Sequence, residues 1–172
     1  MQQSPKESAS KSKRYNHSYI VSLFALVGTS ITGVMGFIGL LNNNFILASV
    51  LFLVSLSFFI GYYIHKKFQN IELCSSTIIY SLYFIMFYLV YAGGVDNTGP
   101  LWIFMVAPVS VFILGLKRGL VHLTVFVIII SAIMFIPTDN VIRAIYSTEF
   151  KLRLIYSFLT VVFSIINPAN GE

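Results

Sequence analysis

His17, His65, His122 and the single Cys74 are the residues of this sequence best suited to bind a metal or move a proton. No two of them, and no His, Cys and carboxylate together, stand at metal-ligand or acid-base spacing inside an apolar run. His122 falls about one helical turn inside such a run, where it suits the headgroup level or an interhelical hydrogen bond better than a proton relay. Cys74 cannot form an intramolecular disulfide and reads as a small packing residue. No nucleophile elbow, Walker sequence or glycine-rich nucleotide loop is present. The chain is therefore not expected to be an enzyme, and no catalytic residue, cofactor or metal site is assigned.

The remaining chemistry is that of recognition. Asp96, Asn97 and Thr98 form a polar turn between Gly93-Gly94 and Gly99-Pro100, with Tyr91 before it and Trp102 after it. These five side chains are the candidate sensing residues for a small ligand of unknown identity. A capped loop beside interfacial aromatics is the plainer reading of the same residues. Gly93 and Gly94 permit a tight helix exit, Thr98 is placed to cap the next helix, and Pro100 suits its first turn.

Tyr80, Phe84, Phe87 and Tyr91 recur at helical spacing, with Tyr83 and Tyr88 beside them. Such a wall lines a pocket for an apolar ligand or simply packs against lipid and neighbouring helices. Hydroxyls as deep as those of Tyr80 and Tyr83 need partners. Pro108 lies within an apolar stretch and removes a backbone donor there, so a kink and a candidate hinge are expected. Gly28, Thr32 and Gly36 share one helix face, where small residues admit another helix, either within the chain or across a homodimer.

The elements that hold these residues are long apolar runs. Hydrophobic residues make up 57% of the chain and charged residues 10%, a balance foreign to a soluble domain. Six stretches approach the ~20 residues needed to cross a bilayer: 19–41, 45–64, 73–92, 99–116, 119–136 and 148–166. The first is too long for a cleaved signal and is read as a retained span. The last needs Lys151 and Arg153 to snorkel. The expected fold is all-α, a polytopic bundle of six transmembrane helices over 19–167, with a short cytosolic end at 168–172. Residues 1–18, polar and rich in Ser and Lys, are expected to form a disordered basic cytosolic tail touching anionic lipid.

Alternating the spans places Lys6, Lys11, Lys13, Arg14, Lys66, Lys67, Lys117 and Arg118 on one side. Arg143, Lys151 and Arg153 fall on the other. The positive-inside rule then puts both termini in the cytosol. Topology accounts for the sequence pI near 9.4, and nucleic-acid binding is not required. Midplane charges of the kind that ion-coupled transporters retain are absent from the apolar runs.

One segment is less generic than the rest. It runs from Tyr91 through the glycine pair, the Asp-Asn-Thr-Gly turn, Leu101-Trp102 and Pro108 to the Gly115-Leu116-Lys117-Arg118-Gly119 hairpin. This pattern resembles the multi-span N-terminal input regions of bacterial diguanylate cyclases and related membrane sensors, which precede a cytosolic GGDEF domain. The resemblance covers roughly residues 73–166. It implies a sensory, signal-transducing module whose final helix relays a stimulus to a cytosolic output domain or partner protein. No GGDEF sequence occurs here, and the chain is expected to be a truncated input part, an excised piece or a stand-alone module. Two other functions fit the composition. One is a small facilitator or transporter subunit lined by Ser55, Ser57, Tyr80, Tyr83 and Ser110; the other is a membrane assembly protein.

Overall fold

The computed structural model describes residues 5–68, 70–94, 97–136 and 144–169, with side chains from 18 to 167 within those limits. The element order is α1 (Pro5–Leu41), α2 (Phe45–Phe68), α3 (Ile71–Ala92), a 3-10 helix (Gly99–Met105), α4 (Val106–Leu114), α5 (Leu116–Phe135) and α6 (Thr148–Ala169). Every element is helical, and no strand occurs among the described residues. Among the described residues, four helices are long and apolar enough to cross a membrane: Ser18–Leu41, Phe45–Phe68, Ile71–Ala92 and Leu116–Phe135. Their outward surfaces suit lipid, since Phe37, Leu53 and Ile128 are 59%, 60% and 63% exposed. A water-facing monomer does not leave apolar area of that extent uncovered.

α1 begins at Pro5, within the stretch expected as a disordered tail. Pro5 opens the helix where its missing N–H costs nothing, and Glu7, Ala9 and the lysines carry no penalty against helix. Of the six expected spans, four are long and apolar enough. The fourth stretch is a shorter helical run, Gly99–Leu114, split between 3-10 and α geometry. The sixth is helical from Thr148, as its boundary suggested, but it is not among the four. Glu149, Lys151 and Arg153 crowd its first two turns.

The chain forms two compact units, Met1–Ser81 and Leu82–Glu172, which divide within α3. In the first, α1 and α2 make an antiparallel hairpin. Asn43 takes a left-handed backbone (φ 56°), while its N–H bonds Leu40 O at 3.0 Å and that of Asn44 bonds Gly39 O at 2.9 Å. This closes α1 in a Schellman motif. The Asn44 side chain then caps α2 by accepting from the Leu47 N–H at 3.2 Å. Three consecutive asparagines thus end one helix and begin the next.

The second unit packs the end of α3, the 3-10 helix, α4, α5 and α6 around Tyr83, Ile103, Val106, Leu123, Phe126 and Phe158, all buried. The α4–α5 hairpin turns through Gly115 (φ 79°). A Cβ at Gly119 would lie 2.9 Å from Val111 Cα, so the two helices touch backbone to backbone at that point.

Candidate functional site

The turn after α3 is built from backbone contacts that tolerate few side chains. The Gly93 N–H caps Leu89 O at 2.9 Å, and the Gly99 N–H reaches back to Gly93 O at 2.8 Å. A Cβ at Gly99 would fall 2.6 Å from Leu89 O and 2.7 Å from Gly93 O, which reserves the position for glycine. Asn97 adopts φ 59° and sets its side-chain oxygen against Gly93. Pro100 occupies the first turn of the 3-10 helix, as expected. Thr98 holds the N-cap position, but its hydroxyl makes no capping hydrogen bond, because its backbone is helical (φ −85°, ψ −7°) rather than extended.

Of the candidate sensing residues, Trp102 is 41% exposed and Tyr91 is half-buried. Asp96 lies outside the described residues. Pro108 is the third residue of α4. The change from 3-10 to α geometry occurs just before it, with the Val106 N–H bonding Ile103 O. Pro108 has no N–H to offer the carbonyls of the 3-10 turn that runs directly into α4. The break in regularity sits at Met105–Val106, near the middle of the Gly99–Leu114 run and within the turn that precedes Pro108.

The segment leading into α6 supplies the feature that spacing alone did not indicate. The Tyr146 hydroxyl donates to Val90 O at 2.9 Å, and the Ala144 N–H donates to Tyr91 O at 2.9 Å. The last carbonyls of α3, which a helix end leaves unsatisfied, are thus taken up by the lead-in to α6. Burial pushes the Tyr146 phenol up to about 12. Its ring stacks on Phe150 at 5.4 Å, and Ser147 caps α6 by accepting from the Phe150 N–H at 3.2 Å. The visible signals were a Tyr-to-Phe spacing of four and a Ser ahead of Thr148-Glu149, a common helix start. Neither names the carbonyl that the tyrosine meets.

A second linkage lies deeper. The Tyr83 hydroxyl and Ser110 Oγ are 3.0 Å apart and buried, so each satisfies the other. The Tyr83 ring lies 4.9 Å from Phe126 and 6.5 Å from His122. Phe126 is 6.0 Å from Phe158 of α6, which is 6.4 Å from Phe104. Phe87 stacks on Phe126 at 5.3 Å. The expected wall therefore divides: Tyr83 and Phe87 join this cluster, whereas Tyr80 and Phe84 are 59% and 54% exposed.

The Gly28, Thr32 and Gly36 face is occupied within the chain. A Cβ at Gly28 would stand 3.1 Å from the Phe58 ring, and one at Gly36 3.3 Å from Phe52. Thr32 bonds back to Gly28 O at 2.7 Å. The residues suggested for a solute path are dispersed: Ser55 donates to Thr29 O, Ser57 bonds its own helix at Leu53 O, and Ser110 is sealed by Tyr83. No group of three His, Cys, Asp or Glu among the described residues could hold a metal ion. No family model matches the chain, and comparison with curated proteins and with solved structures finds no match either.

Proposed function

We propose that the chain is a membrane-embedded signal-input module, in which a stimulus at the 93–102 turn is passed to α6. The observation that carries this reading is the clip formed by Tyr146 on Val90 O and Ala144 on Tyr91 O. It ties the helix that precedes the turn to the segment that starts α6. The aromatic contacts from Tyr83 through Phe126 to Phe158 add a second route between the same helices. A displacement of α3 at its outer end then has two mechanical consequences for α6.

In this reading the protein is integral to a bacterial inner membrane with six spans and both termini cytosolic. The short Gly99–Leu114 run crosses as a 3-10 and α composite, the 3-10 part gaining length per residue. α6 crosses by snorkelling Lys151 and Arg153 to the outer headgroups. The output is a cytosolic domain or partner following α6, as the resemblance to diguanylate-cyclase input regions implies. A ligand drives the relay only by binding two packings of the turn with different affinity. Asn97, Thr98 and Trp102, with Asp96 and Tyr91, are the residues that would contact it.

A reporter kinase or cyclase fused after Ile166 tests the proposal. Substitutions at Asp96, Trp102 and Pro108 are expected to shift its output at equal membrane abundance. Output indifferent to all three would sink the reading, and solute flux through vesicles containing the purified chain would favour a facilitator instead.

A further inference from the structure

The exposed side of α6 carries a stripe that lipid alone does not suit. Leu154 and Phe158 mark the side buried in its own unit. On the opposite side Glu149, Arg153, Tyr156, Thr160, Phe163 and Asn167 follow at alternating steps of four and three residues, and all six are exposed. That is the period of a two-stranded helical seam. Ser157 and Ser164 lie beside it, also exposed, where small hydroxyl residues admit a close neighbour and hydrogen-bond across it. Thr160 also bonds back to Tyr156 O at 2.9 Å, as Ser30 does to Leu26 O and Ser49 to Phe45 O on their own helices.

Charge identifies the occupant. Glu149 and Arg153 lie 3.8 Å apart within one helix, with their side chains 84% and 83% exposed, an arrangement that contributes little by itself. Copies of one chain share a membrane orientation, so two α6 helices can meet only in parallel. In that arrangement Glu149 and Arg153 occupy successive layers of the seam. Each Arg153 then reaches Glu149 of the second copy, and the stripe is complementary to itself. The small-residue face of α1 is already filled by Phe52 and Phe58 and is not a competing seam.

We propose that this face of α6 is the seam of a parallel homodimer, its occupant the α6 of a second copy. The inference rests on the reading of α6 as a membrane span. It gives the input module a dimeric output helix, so that a shift at the Tyr146 clip becomes a change in the spacing or rotation of two helices leaving the membrane together.

The test uses the full chain in native membranes with Cys74→Ser, the sole cysteine removed. Single cysteines placed by Thr160→Cys and Phe163→Cys are expected to give disulfide-linked dimers on mild oxidation, visible as a doubling of mass. Ile155→Cys and Val162→Cys, off the stripe, are expected to give none. Linkage at neither seam position, or equal linkage at all four, overturns the proposal. In the Thr160→Cys background, Arg153→Glu alone is expected to lose the dimer. Co-expression with a chain carrying Glu149→Arg is expected to restore it, and failure of that rescue contradicts the charge pairing. Asn167→Cys separates the underlying reading: an impermeant thiol reagent should reach it only after the membrane is opened. Labelling in intact cells overturns the spanning of α6 whatever the cross-linking shows.

Discussion

Tyr146 concentrates the account at the scale of single residues. Its hydroxyl meets a helix-terminal carbonyl, and Tyr146→Phe keeps the ring on Phe150 while removing that bond. The expected cost is about 1 kcal/mol, read as a lower unfolding midpoint in detergent. Alkaline titration tests the same group. Its phenol is raised from 10.0 to about 12 by burial, so its neutral form is favoured in the folded chain. The stability it lends is present below pH ~10, where an unfolded tyrosine begins to ionise, and is lost as pH rises toward the folded value. Wild type should therefore lose stability more steeply than Tyr146→Phe over that interval. The buried Tyr83–Ser110 pair behaves differently. Tyr83→Phe removes the partner of the buried Ser110 hydroxyl at roughly 1–3 kcal/mol, and a mutant cycle with Ser110→Ala reads the coupling between the two. That Tyr83 needs a partner was legible from an apolar run carrying a phenol; that the partner is Ser110, 27 residues away, was not, because nothing local links them.

Elements are held by contacts that the sequence signals unevenly. The asparagine run at 42–44, the glycines at 115 and 119, and Pro100 announce turns and close approach, and the structure uses each for that purpose. Gly119→Ala puts a methyl 2.9 Å from Val111 Cα, with an expected loss of about 1–3 kcal/mol from overpacking between α4 and α5. Gly36→Leu is expected to disrupt the α1–α2 hairpin through Phe52 rather than to dissociate a dimer. Chemical cross-linking at unchanged yield beside a lowered unfolding midpoint would show this. Pro108 announced an irregularity in its run, but apolar composition did not specify a change from 3-10 to α geometry at Met105–Val106.

For the whole molecule, apolar periods and charge placement make the helical class and the membrane-crossing lengths readable, because a bilayer demands internally bonded backbone over a fixed thickness. The tie between the end of α3 and the lead-in to α6 was not readable, since it joins residues 90 and 146 through a carbonyl that any sequence possesses. The central claim is that this tie carries a signal. Its most direct measurement is the output of a reporter kinase fused after Ile166, compared between wild type and Tyr146→Phe at equal membrane abundance. The account predicts a shifted basal output in Tyr146→Phe with α6 still inserted; output identical to wild type, with the Tyr146 bond demonstrably lost, would contradict it.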